Sequence, residues 1–392
     1  MSDELKVGVI GAGGRGLLSG HVHEIEGGGA RLVAGADLVD AALDHFKERF
    51  GDDVMVTHDY RDILARNDID AVFVTTPDSL HEEHAVAALR AGKHVYLEKP
   101  MAITLEGCDN ILRTAMEQGV KLYVGHNMRH MRVIRKMKEL VEAGEIGEVK
   151  SGWCRHFCSY GGDAYFKDWH ADREKCTSLL LHKGTHDIDV LHWICGGYSR
   201  RVTAMGNLTV YNQIEDRHGP EERGDASWHI QNWPPLSQTG LNPIIDVEDL
   251  SMMLMELDNG VLCSYQQCHY TPDGWRNYTI IGTEGRIENF GDAPGETTIK
   301  LWNQKCYYGG DKAVEYPIPH VEGDHGGADP EIVKEFVEFV RADGPITVSA
   351  IASRNSVAAG CMAAESLRNG STPQDIPPVP DDLMEYFTDL GH

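Results

Sequence analysis

Apolar residues in the first third of the chain come in short runs separated by stretches of helical spacing. Leu5 to Ile10 (LKVGVI) is apolar and β-branched, and a glycine-rich turn, GAGGRG, follows at once. A helical stretch comes next, and then a second run, ARLVAGA, which ends at Asp37. Apolar positions in DAALDHFKERF recur at helical spacing, which predicts a helix. DYRDILAR, the strand DAVFVTT, the helix HEEHAVAALRAG, the strand HVYLE, the helix TLEGCDNILRTAMEQG and the strand KLYVG complete the series. Strands alternating with helices are βαβ units, and they predict a doubly wound parallel sheet covered on both faces.

The pattern changes near Gly125. MRVIRKMKELVEAGEIGEV reads as an amphipathic helix ending at a glycine, a bridge into strands that are longer and less regularly separated by helices. These are VKSGWCRHF, VTAMGNLTVY, LSMMLMEL, VLCSYQQCHY and YTIIGTEGRIENF, the signature of an α+β domain on a mixed or antiparallel sheet. The expected division is a Rossmann domain over residues 1–125 and an α+β domain over 126–392, and a chain of 392 residues suits two domains. Residues 212–243 carry no period. A loop of that length serves as a lid or binding segment or is disordered, and Trp228, His229 and Trp233 favour a lid or a subunit contact.

Composition removes several classes of function. A net charge of −25 with no basic stripe argues against nucleic acid as a partner. No apolar run approaches a bilayer span and no leader precedes Leu5, so a soluble, cytoplasmic protein with no membrane partner is expected. Nine cysteines without C-x-x-C pairs fit reduced thiols rather than a disulfide framework or a zinc site.

The glycine turn has the context that gives such a motif meaning: a strand before it, a helix after it, and an acid at the end of the next strand. Gly11 permits the tight turn, Gly13 lets the backbone approach a pyrophosphate, and Gly16 lets helix and strand pack closely. Ala12, Gly14 and Arg15 complete the cofactor-facing turn, whose helix N-terminus offers N–H groups to phosphates. Asp37, placed to accept from both ribose hydroxyls, would repel a 2′-phosphate, and Leu38 and Val39 offer no cation to hold one. NAD is therefore expected over NADP. Ligands in such sheets lie outside the carboxyl ends of the strands, which adds Thr75, Thr76, Pro77 and His81, and Glu98 and Lys99, to the cofactor set.

In order and spacing, GVIGAGGRG, Asp37, TTPDSLH, EKPMA, VGHNMR, GTHDIDVLHWICGG and VEDLSMMLMELDNG resemble the Gfo/Idh/MocA oxidoreductase family, which includes glucose–fructose oxidoreductase and inositol dehydrogenases. The resemblance spans essentially the whole chain. It implies an N-terminal Rossmann domain, a C-terminal domain on a large, mostly antiparallel sheet, and a homo-oligomer (dimer or tetramer) formed through that sheet's exposed face. It also implies that Lys99 contacts the reacting hydroxyl and precedes a proline bond that is often cis, and it brings Asn127 to the cofactor and Arg129 to the substrate.

Family members carry D-x-G-x-H-x-x-D where this chain has His182, Gly184, His186 and Asp189. The first acid is thus replaced by His182, so another acid must orient the pair or the pair does different work. Three readings stand. His186 moves the hydroxyl proton while His182 modulates it, since imidazole titrates near neutrality; or His-x-x-x-His places both rings on one helical face for a metal; or both are buried histidines with satisfied hydrogen bonds. Catalysis by Lys99, His186 and His182 is the expectation, with no metal, since spacing identifies no third ligand. His156, Trp169, Lys183 and His325 are further substrate-contact candidates, because sugars need fixed donors and aromatic faces. The function these residues imply is hydride transfer between a secondary hydroxyl of a sugar, polyol or glycoside and NAD. A redox-neutral glycosidase using bound NAD and a dinucleotide-binding regulator are the alternatives.

Overall fold

In the computed structural model, residues 4–389 are described except 223, 230, 293–295, 308–311 and 322. They group into two compact units. The first is drawn from Met1–His130, Gly323–Arg354 and Pro378–His392. Its sheet is parallel throughout, in the order β3-β2-β1-β4-β5-β6, from β1 (Leu5–Ile10), β2 (Ala30–Ala36), β3 (Met55–Thr57), β4 (Ala71–Val74), β5 (His94–Leu97) and β6 (Leu122–Val124). Runs apolar on both faces form these strands because helices cover both sides. The covering helices include α1 (Asp40–Phe50), α2 (Tyr60–Leu64), α3 (His81–Arg90) and α4 (Leu105–Gln118). Helix α4 shows how locally such elements are specified. Thr104 Oγ1 accepts the Gly107 N–H at 3.0 Å at one end, and Gly119 takes left-handed backbone (φ 62°) at the other. The helical stretch after the glycine turn is a 3-10 helix, Gly14–Glu24. Strand β3, three residues long and half-buried, is too short to show a period in the sequence.

The core of this unit recruits a distant segment. Phe73, Tyr96 and Tyr123 lie on β4, β5 and β6, with ring centroids 4.5 and 5.7 Å apart. Phe336, from the helix Ala328–Ala342, meets the three rings at 5.3, 5.6 and 5.9 Å. Ile332, Val333, Val337 and Phe339 of the same helix are buried in the same cluster. Residues 126–130, 323–354 and 378–389 therefore pack with the Rossmann unit, where the sequence expectation set them in the second domain. Helical spacing reveals an apolar face but not which sheet it covers.

The second unit takes Met131–Glu322 and Asn355–Pro377. It opens with α5 (Arg132–Glu142), and then come β7 (Val149–Phe157), α6 (Arg173–Cys176), α7 (Leu179–His182), α8 (Gly184–Cys195) and β8 (Ser199–Asn207). The strands β9 (Leu250–Leu257), β10 (Leu262–Cys268), β11 (Trp275–Gly282), β12 (Arg286–Phe290), β13 (Thr297–Trp302), β14 (Val314–Ile318) and β15 (Gln374–Asp375) follow. Together they form a nine-stranded sheet, β14-β13-β12-β11-β7-β10-β9-β8-β15, antiparallel except for the β7/β10 pair. On β9 every second residue (Ser251, Met253, Met255, Leu257) is buried while Met252 and Leu254 are exposed, the alternation of a sheet covered on one face. The stretch read as one strand, YTIIGTEGRIENF, is the hairpin of β11 and β12. Strand β8 stops short of its apolar run because Asp249 diverts the chain: its carboxylate accepts the N–H groups of Thr209, Val210 and Tyr211 at 2.9, 2.7 and 3.1 Å.

Candidate active site

In the first unit the site begins at the glycine turn. Gly11 has φ +91°, open to glycine alone at little cost, and a Cβ on Gly16 would stand 2.1 Å from the Gly11 carbonyl oxygen. The Thr75 hydroxyl donates to that carbonyl at 2.8 Å and ties the end of β4 to the turn. Asp37 Oδ2 accepts the Gly13 N–H at 3.0 Å, and Oδ1 accepts that of Val39 at 3.0 Å. Around Gly14 the space is open, since a Cβ there would meet nothing within 4 Å, while Ala12 is fully buried beneath. A turn open on the phosphate side and closed to side chains beneath fits a dinucleotide.

Arg15, expected to face the cofactor, is engaged on the protein. Its Nε donates to Glu98 Oε1 at 2.7 Å, and its Nη atoms donate to both oxygens of Asp329, the Nη2 bond at 3.0 Å. These two acids hold the guanidinium well above its ordinary pKa against the opposing effect of burial. Asp329 also accepts from Asn127 Nδ2 at 3.0 Å and lies 3.4 Å from His325 Nδ1. Burial alone would raise its carboxyl, but His325 and Arg15 keep it far below the usual range. So Asn127 and His325 both point to one carboxylate that the sequence pattern does not single out. The signal lay in HGGAD: His325, Gly326 and Gly327 have φ of 51, 63 and 78°, a tight left-handed turn that delivers Asp329 to the start of its helix. Arg129, the expected substrate contact, is buried and donates to the Thr347 carbonyl at 2.8 Å.

The mouth of β5 is just as fixed. Glu98 is buried, and besides Arg15 it accepts from the Tyr96 hydroxyl at 3.3 Å and from the Lys99 N–H at 3.1 Å. The Lys99–Pro100 bond is cis, as the resemblance implies. His81 is buried, its Nδ1 2.7 Å from the Pro100 carbonyl oxygen and its Nε2 2.8 Å from that of Thr76. Carbonyls only accept, so the ring joins the loop after β4 to the loop carrying Lys99. Its polar atoms thus serve the protein backbone. Thr76 Oγ1 sits 3.0 Å from His84 Nδ1. Burial pushes the Asp78 carboxyl up to about 7, although His81 and Lys99 pull it the other way.

In the second unit, His182 ends α7, Lys183 intervenes, and His186 lies in the first turn of α8. The two histidines therefore do not share one uninterrupted helix, as the metal reading required. Ser178 Oγ caps α7 through the Leu181 N–H at 3.1 Å. Around His182 stand His170, Trp169 and Tyr165, with ring centroids at 4.5, 5.5 and 5.7 Å. The Lys183 ammonium lies 5.9 and 5.8 Å from the rings of Tyr160 and Tyr165. His156 is 3.2 Å from the Tyr265 hydroxyl and 3.5 Å from Asp187 Oδ2, and burial beside Arg276 and Lys183 keeps it neutral, far below its ordinary pKa. Asp187 is paired with Arg276 at 3.0 Å and accepts from the Tyr278 hydroxyl. His269 is fully buried, with no hydrogen-bond partner for either ring nitrogen among the described residues, and burial lowers it to about 3. Neither Asp187 nor His269 stands out as a site residue in the sequence; the first adjoins His186 in the motif, and the second, just past β10, looks like an ordinary strand end. Among the described residues no three His, Cys, Asp or Glu side chains group as metal ligands.

A parallel sheet in 3-2-1-4-5-6 order, a glycine turn closed to side chains and a strand-end carboxylate define a dinucleotide-binding protein. The chain belongs to the Gfo/Idh/MocA oxidoreductase family: residues 5–126 match its NAD-binding Rossmann fold and residues 138–375 its C-terminal alpha/beta domain. It is 33% identical over 194 residues to an inositol 2-dehydrogenase/D-chiro-inositol 3-dehydrogenase of Halalkalibacterium halodurans, covering 48% of this chain and 52% of the relative. It is 31% identical over 209 residues to a 2,7-anhydro-N-acetylneuraminate hydratase of Mediterraneibacter gnavus, covering 52% of each. The chain thus spans about half the length of these two relatives. Levoglucosan dehydrogenase, solved with NADH and levoglucosan, superimposes with a TM-score of 0.77 at 21% identity over 96% of this chain and all of the other, a likeness of fold. No described helix is long and apolar enough to cross a membrane.

Proposed function

We propose that the protein is an NAD-dependent dehydrogenase acting on a secondary hydroxyl of a sugar, polyol or glycoside. The observation that carries this is the fixed mouth of β5, where Glu98 holds the Lys99 N–H and His81 holds the carbonyl of the next residue, Pro100. Lys99 stabilises negative charge developing on the substrate oxygen, the electrostatic role that dominates most such reactions. His186, at the start of α8, accepts the hydroxyl proton, and His182 modulates it. NAD, when bound, supplies the hydride acceptor. Asp37, already turned toward the glycine turn through the Gly13 N–H, favours a free ribose 2′-hydroxyl over a 2′-phosphate.

The test is one absorbance time course with NAD+ and a nitrophenyl glucoside, following the reduced-nicotinamide and nitrophenolate bands together. Growth of the nicotinamide band alone is expected. Replacing Lys99 with Met should lower kcat by about 10²–10³-fold while NAD binding, read by calorimetry, is kept. A variant that retained most of its turnover would remove Lys99 from the mechanism. The hydratase among the relatives favours a second reading, in which oxidation is transient and the glycosidic bond is cleaved with no net redox change. Nitrophenolate release without net NADH would establish it.

A further inference from the structure

Residues 212–243 have no part in the mechanism above, yet the second unit holds them firmly at one point. Asp163 is fully buried. Its Oδ2 accepts the N–H groups of Gln231 and Asn232 at 2.9 and 3.3 Å, its Oδ1 accepts Asn232 Nδ2 at 2.7 Å, and its carbonyl accepts the Ser227 N–H at 2.8 Å. Asp163 thus holds the segment on both sides of Trp228, its backbone carbonyl at Ser227 and its buried carboxylate at Gln231 and Asn232, and so fixes what lies between.

It carries Trp228. The indole stands 5.3 Å from Tyr165 at 82°, 5.9 Å from Tyr160 at 68° and 6.1 Å from His170 at 86°. All three contacts are edge-to-face. Among the described residues no ring lies parallel to this indole, which remains 56% exposed. Trp169, the indole singled out in the sequence, is the opposite case: His170 lies over it at 3.7 Å and 23°, so one of its faces is already covered. Trp169 borders His182 directly. Trp228 is one ring further out, reached through Tyr165 and His170, which stand 5.7 and 4.5 Å from His182.

We propose that Trp228 is a stacking platform for a second ring of the substrate, an aromatic aglycone or a further sugar joined to the sugar that reacts. The proposal rests on the sugar or glycoside reading above. A pyranose offers an apolar C–H face and an aryl group a π-face, and each is matched by a fixed indole with an open face. A free sugar or inositol engaged at His182 is a single ring and leaves that face in water. A glycoside covers it. The latched segment therefore selects for two-ring substrates.

The experiment compares kcat/KM for p-nitrophenyl glucoside and for glucose in the NAD-loaded wild type and in Trp228→Ala, Trp228→Phe and Asp163→Asn. The glucoside-to-glucose ratio should fall about tenfold in Trp228→Ala, recover in Trp228→Phe, and fall part of the way in Asp163→Asn, with KM carrying the change. A ratio that stays at the wild-type value in Trp228→Ala overturns the proposal. If neither compound turns over in the wild type, the dehydrogenase reading is what fails. Tryptophan quenching by phenyl glucoside then decides: quenching lost in Trp228→Ala supports the platform, and quenching that persists unchanged, or is absent from the wild type, overturns it.

Discussion

Asp78, in the turn after β4, and His81, three residues on at the start of α3, both bear on the segment that carries Lys99. Folded, Asp78 keeps its proton up to about 7; unfolded, it releases it near 3.8. Folding therefore takes up a proton between those values, so Asp78 erodes stability as pH rises through that window, with the full cost present above 7. An Asp78→Asn variant should be more stable than the wild type at pH 8, by up to about 4 kcal/mol, and nearly equal to it at pH 4. Urea denaturation at the two values measures the difference. The same scale shows what sequence could and could not reveal of the site. Gly11, Gly16 and Asp37 were legible because backbone approach leaves no alternative to glycine there and the acid sits at a fixed offset. Arg15 was named, but its partner Asp329 lies more than three hundred residues away, beyond any local pattern. Glu98 and His81 read as cofactor contacts from position alone, whereas the bonds of Glu98 to Arg15 and Tyr96 and of His81 to two carbonyls are set by the packed loops.

At the scale of elements, legibility followed burial. Strands β1, β2 and β4 to β6 are apolar on both faces and stand out as runs, while β9 alternates. The errors fell where a short polar interruption decides the structure: the turn between β11 and β12, and the Asp249 carboxylate that ends β8. Removing the helix Ala328–Ala342 would open the core of the first unit, because Phe336 fills the space beside Phe73, Tyr96 and Tyr123. Phe336→Ala should cost about 3–5 kcal/mol in chemical denaturation, the range for an aromatic deleted from a packed core. A loss under about 1 kcal/mol would mean that the strands close without it.

For the whole molecule, the uncovered face of the nine-stranded sheet sets an expectation. Met205 and Met252 are paired across β8 and β9, Leu254 lies two residues along from Met252, and Leu262 opens β10; all four are exposed, Leu254 at 60%. We propose that a second copy of the chain covers this face, as the family resemblance implies. Sedimentation velocity at micromolar concentration should then show a dimer or tetramer, shifted toward monomer in Leu254→Glu, since a charge at the centre of an apolar contact must be desolvated. A wild type that sediments as a monomer would refute this. The make-up of the first unit has a consequence of another kind, for synthesis. A ribosome has made β6 long before it reaches Phe336, an interval on the order of 10–40 s at ordinary elongation rates. Throughout that time Phe73, Tyr96 and Tyr123 lack their covering helix, so the nascent Rossmann sheet waits open, a natural client for chaperones, while the later part of the chain, Met131–Glu322, is being made.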